Sequence, residues 1–117
     1  MKIYKELTLN EVIETLKNLP EGARVKGLDG TLHSDRGWYD RSATAHMPDA
    51  VWEADALAAA LESQIGEVMW GWKGGEYYVH GNKPVYVAEY GTTGPAIGGF
   101  EYDPVEDIWE PVGVVDW

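Results

Sequence analysis

The sequence contains no cysteine, which excludes a disulfide framework and a thiolate-bound zinc site. It also lacks an apolar run long enough to span a membrane. The residues that follow Met1 do not form the apolar stretch of a signal peptide. These absences predict a soluble, cytoplasmic protein that has no membrane partner.

Basic residues are scarce: nine Lys and Arg stand against 20 Asp and Glu, for a net charge of −11, and none follows Lys83. A protein that binds duplex nucleic acid must neutralise phosphates, so duplex DNA or RNA is not an expected partner. The excess of carboxylates either keeps the protein dispersed or forms an acidic face for a basic partner, in imitation of DNA. On charge alone we favour the first interpretation.

Two helices are predicted within a chain of 117 residues, a length typical of one domain. Thr8 and Glu11 form a capping-box pattern, and apolar residues follow at helical spacing as far as Leu19-Pro20. A second helix is predicted over 51–65, with an apolar stripe that includes Ile65 and a stop at Gly66.

Strand-like segments occupy much of the remaining chain, and glycine-rich or acidic turns separate them. Asp29-Gly30 is taken as one such turn. Short turns favour antiparallel pairing, so we expect a single α+β domain over 1–117, with two helices packed on a mainly antiparallel β-sheet. The predicted strands are Ala23–Gly27, Trp38–Ala45, Val68–Trp72, Glu76–His80, Val85–Tyr90, Pro95–Phe100 and Ile108–Val115.

Three segments place glycines beside aromatic rings, and the first two add a cation each: 34–39, 71–78 and 86–91. Glycine lets a backbone approach a partner closely, rings offer faces for stacking, and Arg and Lys bind anions. The alternative is a purely structural role: a hairpin connection at Gly74-Gly75 and a surface ion pair for Arg36. The predicted ligand-binding residues are Ser34, Arg36, Tyr39, Trp72, Lys73, Gly74, Gly75, Tyr77 and Tyr90.

A catalytic or metal site is not indicated. The three histidines lack the spacing of a helical metal motif, and His33 with Asp35 makes only a two-residue match. Ser34 has no adjacent base, and the glycines before Lys73 are not spaced as in a P-loop. At Asp29 the resemblance to an aspartate-nucleophile phosphatase loop fails, because Gly27 stands where the nucleophile must be. We therefore expect no enzyme activity, no cofactor and no metal.

At the three segments the chain resembles a family of small tailed-phage proteins, especially from phages of actinobacteria. The shared motifs are Ser-x-Arg-Gly-x-Tyr at 34–39, Gly-aromatic-Lys-Gly-Gly-Glu-Tyr at 71–77 and Val-x-Val-Ala-x-Tyr-Gly at 85–91. The likeness extends from about Leu9 to Phe100. It implies a phage or prophage origin and a place in the host cytoplasm, and by analogy interference with host defence.

Three functions follow in order of preference. The first is non-enzymatic sequestration of a small phosphorylated ligand, such as a nucleotide immune signal, in one concave site shared by Arg36, Tyr39 and Lys73. The second is an acidic protein-interface inhibitor of a host nuclease or effector, anti-CRISPR-like or DNA-mimicking, that uses residues 89–116. The third is an enzyme. The formation of a homo-oligomer is compatible with each of the three functions.

Overall fold

Two helices and seven strands make up the fold of the computed structural model, which describes residues 5–35, 38–70, 76–89 and 92–114. This architecture confirms the α+β class and the packing of two helices on a mostly antiparallel sheet. The elements in chain order are α1 (Leu9–Lys17), β1 (Arg24–Asp35), β2 (Trp38–Glu53), α2 (Ala54–Ser63), β3 (Val68–Trp70), β4 (Glu76–Tyr78), β5 (Val85–Glu89), β6 (Thr92–Asp103) and β7 (Ile108–Gly113).

Five strands close into a barrel in the order β1-β2-β5-β6-β7, while β3 and β4 form a separate two-stranded ribbon. Neighbours joined by short connections pair antiparallel, as expected: β1 with β2, β5 with β6, and β6 with β7. Two pairings are parallel, β2 with β5 and β1 with β7. Between β2 and β5 the chain passes through α2 and the ribbon, a crossover long enough for parallel pairing.

The first helix forms where its capping residues predict it. Thr8 Oγ1 accepts a hydrogen bond from the backbone N–H of Glu11 at 3.2 Å, and Glu11 Oε1 accepts one from the N–H of Thr8 at 3.0 Å. These two bonds satisfy N–H groups that a helix leaves open at its start. The hydrogen bonds to Glu11 lower the pKa of that carboxyl, with the Thr8 backbone as the main cause.

The hydrophobic core lies between the two helices and one side of the barrel. The predicted stripes of both helices are buried, but Ile65, expected to extend the second stripe, is 37% exposed. Strand residues such as Val25, Leu28 and Ile97 complete the core, and Trp52 packs against it. The buried helix residues are Leu9, Val12, Ile13, Leu16, Ala54, Leu57, Ala58 and Leu61.

The turn predicted at Asp29-Gly30 is wrong, because β1 continues through these residues as a bulge. Gly30 has φ of +85°, and its N–H donates to the buried Thr44 Oγ1 at 3.1 Å. The ring of Trp52 fills the space beside Gly30, and the indole N–H of Trp52 donates to the carbonyl of Leu28 at 3.2 Å. A glycine at positive φ is compatible with a bulge as well as with a turn. Here the packing of Trp52 in the core favours the bulge.

Several strand boundaries also differ from prediction. β2 includes residues 51–53, which the sequence predicts as part of the second helix. That helix begins at Ala54, whose N–H donates to the carbonyl of Ala23 at 2.8 Å. β6 begins at Thr92 and ends at Asp103, so it includes residues at both ends that the sequence predicts as turns. Pairing with a neighbouring strand extends both: β2 reaches Glu53 opposite Arg24 of β1, and β6 reaches Asp103 opposite Ile108 of β7.

Candidate functional site

The predicted ligand site falls largely outside the described residues. For Ser34, Tyr39 and Tyr77 the structure describes the backbone, as parts of β1, β2 and β4. The prediction that Arg36, Tyr39 and Lys73 share one concave site therefore stays a prediction. The predicted residues outside the described ranges are Arg36, Trp72, Lys73, Gly74, Gly75 and Tyr90.

The strands that carry the first two glycine–aromatic segments are in contact. Ser34 pairs with Ser42 across the β1–β2 hairpin, and Tyr77 pairs with Met69 in the β3–β4 ribbon. β3 contacts β1, and β4 contacts β2. Val85 pairs with Ser42 from the other side, so the residue just before the third segment lies in the same row of the sheet as Ser34.

Hydrogen bonds close the base of the ribbon, and a side chain at the end of α2 binds β1. The N–H of Gly66 donates to the carbonyl of Val79, and the N–H of Val79 donates to the carbonyl of Glu67, both at 3.0 Å. Gln64, which ends α2, accepts at Oε1 from the N–H of Leu32 at 2.7 Å. This side chain couples α2 to the part of β1 that leads to Ser34. Gln64 thus joins the end of α2, which leads into the ribbon, to the β1–β2 hairpin.

A second region is a cleft of about 510 Å³, to which all five barrel strands contribute. Its size falls in the range of small-molecule sites. We call it the barrel cleft, lined by Lys26, Gly27, His46, Pro48, Val87, Pro95, Glu110, Pro111 and Gly113.

The barrel cleft needs glycine at position 113 for steric reasons, while position 27 needs it for its backbone conformation. A Cβ on Gly27 would lie 3.7 Å from the ring of His46 and from Cδ of Pro111, and Gly27 has φ of +109°. A Cβ on Gly113 would clash with the ring of Pro95. Proline rings have few rotamers to lose, so these walls are fixed before a ligand arrives.

Carboxylates surround the one lysine of the barrel cleft. Lys26 Nζ lies 3.0 Å from Glu106 Oε2, and this hydrogen bond with its charge raises the pKa of Lys26. Glu110 and Asp49 raise the same pKa further through their negative charge. Three carboxylates against one ammonium give this rim an excess of negative charge, which disfavours an anionic ligand.

A third region is a cavity of about 390 Å³ between the α1–β1 connection and the β6–β7 hairpin. The rings of Tyr102 and Trp109 are cross-strand partners with centroids 5.3 Å apart and planes tilted by 50°. The Tyr102 hydroxyl donates to Asp107 Oδ1 at 2.6 Å, and this bond raises the pKa of Tyr102. We call it the hairpin pocket, lined by Pro20, Glu21, Gly22, Ala23, Tyr102, Asp107 and Trp109.

Sequence reasoning missed both cavities, because their residues are distant along the chain. The barrel cleft draws on positions from Lys26 to Gly113, and a spacing pattern does not encode that proximity. The hairpin pocket had a usable signal in Tyr102 and Trp109, which flank the acidic turn of one predicted hairpin.

The described part of the chain holds no group of three His, Asp or Glu side chains that is placed to bind a metal ion. None of its helices is long and apolar enough to cross a membrane. No protein-family model, curated protein or solved structure matches the chain.

Proposed function

We propose that the protein is a non-enzymatic binding protein that sequesters a small phosphorylated ligand where the β1–β2 hairpin meets the β3–β4 ribbon. One observation carries the proposal: the strands that bear the two cation-containing segments are in contact. Arg36 and Lys73 are the only cations of these segments, and both stand beside glycine and an aromatic residue in a chain of net charge −11.

The chemistry of the segments suits a nucleotide. An arginine fork and a lysine ammonium bind phosphate oxygens, and an aromatic ring such as Tyr39 stacks on a base. Backbone N–H groups of a glycine pair add anion-binding capacity. The barrel cleft is a poorer phosphate site, because its one lysine is already paired with Glu106. The phage resemblance makes a nucleotide signal of host defence the ligand that we propose.

The test starts with mass spectrometry of small molecules released from protein purified out of defence-active cells. Calorimetry with a panel of nucleoside phosphates then compares Arg36→Ala and Lys73→Ala with Lys5→Ala, a control for loss of an exposed cation. We expect each site variant to lose at least about tenfold in affinity, because a charge-assisted hydrogen bond contributes roughly 1.5–3 kcal/mol. Equal affinity in all three variants, with unchanged melting, would rule this site out.

The acidic β6–β7 hairpin supports a second candidate, inhibition of a basic host nuclease or effector. Glu101 and Glu110 are direct cross-strand partners. This pairing places two carboxylates side by side on the hairpin, where they would attract a basic partner. The turn between the strands adds Glu106 and Asp107, both exposed.

Charge-matched variants test this candidate. The hairpin variant neutralises Glu101, Asp103, Glu106 and Asp107 to amides, and the control neutralises Glu6, Glu14, Asp55 and Glu67, which are exposed elsewhere. Both change the net charge of −11 by four units. Host proteins captured from a nucleic-acid-free extract are compared over a salt series. A partner lost only by the hairpin variant, with a flattened salt dependence, supports the candidate. Equal retention by both variants excludes it.

A further inference from the structure

We propose that the hairpin pocket binds the guanidinium group of an arginine side chain presented by a partner protein. This inference does not depend on the phosphorylated-ligand proposal, because it concerns other residues and a ligand of opposite charge. It rests on the acidic-hairpin candidate only for the partner being a protein, and it supplies that candidate with a central anchor.

The aromatic pair supplies a surface for a cation. Tyr102 is 46% exposed although it is a large ring, while Trp109 is half-buried and also packs against the core. Both rings line the cavity of about 390 Å³, with centroids 5.3 Å apart and planes tilted by 50°. Ring faces of Trp and Tyr attract cations through their quadrupole, and arginine is the cation found there most often.

Asp107 supplies the matching acceptor at the edge of the rings. An ionised carboxylate accepts about four hydrogen bonds, and the Tyr102 hydroxyl uses one of them at Oδ1. The side chain of Arg24 approaches the backbone carbonyl of Asp107 at 3.5 Å and not its carboxylate. The carboxylate thus keeps acceptor capacity beside the two rings.

The surrounding charge favours a cation over a neutral group. Among the described residues, Glu21 and Asp107 line the cavity and no Lys or Arg does, although Arg24 contacts the carbonyl of Asp107 beside it and Glu106 in the same turn is paired with Lys26. Of the possible organic cations, guanidinium suits the pocket best, because its plane stacks on an indole while its N–H groups donate to a carboxylate. A quaternary ammonium lacks those donors, and a lysine ammonium is compact and strongly hydrated.

A tripeptide titration tests the inference with matched ligands. The probe is acetyl-Gly-Arg-Gly-amide, and the control peptide replaces arginine with citrulline, which has the same shape without the charge. The indole N–H of Trp109 is followed by NMR and assigned from the spectrum of Trp109→Phe. We expect the arginine peptide to shift this resonance and to bind at least about tenfold more tightly than the citrulline peptide.

Two protein variants separate the pocket from general acidity. Asp107→Asn removes the charge and keeps a residue that tolerates the φ of 54° at this position. Asp103→Asn removes a neighbouring charge that does not line the cavity. We expect about a tenfold loss of arginine-peptide affinity in the first and less than a twofold loss in the second. Melting curves verify that both are folded.

Three outcomes would overturn the proposal: equal binding of the arginine and citrulline peptides, equal losses in the two variants, or tighter binding of tetramethylammonium than of the arginine peptide. The last result would assign the pocket to small quaternary ammonium ions. Because the probes contain no phosphate, none of these outcomes bears on the β1–β2 and β3–β4 site.

Discussion

Gly30→Ala is expected to destabilise the protein strongly, because two penalties coincide at this position. The φ of +85° is a conformation that costs an L-residue about 1–2 kcal/mol. A Cβ would also lie 2.9 Å from Cζ2 of Trp52 and 3.2 Å from Cδ1 of Leu57, and overpacking a core costs about 1–3 kcal/mol. The loss of freedom in the unfolded chain returns about 0.4–1 kcal/mol. Urea unfolding should therefore show a loss of about 1–4.5 kcal/mol in the free energy of unfolding.

Gly66→Ala is the matched control for that measurement. Gly66 has the same φ of +85°, but a Cβ there would meet nothing within 4 Å. Only the backbone penalty applies, so the expected loss is about 1 kcal/mol. The difference between the two variants isolates the contact with Trp52 and Leu57. If both variants lose the same free energy, the core does not require a glycine at position 30, and the account of the bulge fails.

Three further predictions concern hydrogen-bonded charges. Thr8→Ala should lower the free energy of unfolding by about 1 kcal/mol. It should raise the pKa of Glu11 only part of the way toward its ordinary value in an NMR titration of the carboxyl, because the main cause, the hydrogen bond from the Thr8 backbone N–H, remains. Glu106→Gln should lower the pKa of Lys26. Because that pKa is raised in the folded protein, the stabilisation holds below pH about 10.4 and is lost as pH rises further, so the variant should lack this part of the alkaline decline. The raised pKa of Tyr102 has the same sign, and Tyr102→Phe should remove one late-ionising phenol from the absorbance titration.

The features predicted correctly are those set by residues close together in the sequence. The capping box at Thr8 fixed the start of α1, and apolar spacing identified the helix faces that the core buries. The turn predicted at Asp29-Gly30 is wrong because a turn and a bulge both favour glycine. Contacts of Gly30 with residues far along the chain, among them Thr44, Trp52 and Gln64, distinguish the two. The Gln64 amide donates to the carbonyl of Gly30 at 2.8 Å, an interaction that a pattern around position 30 cannot reveal.

In the candidate sites, too, the local features could be predicted and the contacts between distant residues could not. Glycine, cation and ring are visible at Arg36 and Lys73 in the sequence, but the contacts between the strand pairs that carry these segments are not. The parallel pairing of β2 with β5 was not expected, since turn lengths report only on consecutive strands. The hairpin pocket depends on the register that sets Tyr102 opposite Trp109, which a shift of one residue would destroy.

The parallel seam of the barrel has a consequence for the nascent chain. Val25 of β1 pairs with Trp109 of β7, across almost the whole described sequence. At roughly 5–20 residues per second, a ribosome needs about 4–17 s to make the residues between them. The N–H of Leu7, just before α1, waits nearly as long for its partner, the carbonyl of Ile97. During that interval the edge of β1 that later pairs with β7 is open to other chains and to chaperones. Closure of the barrel at this edge therefore has to wait until β7 has been synthesised.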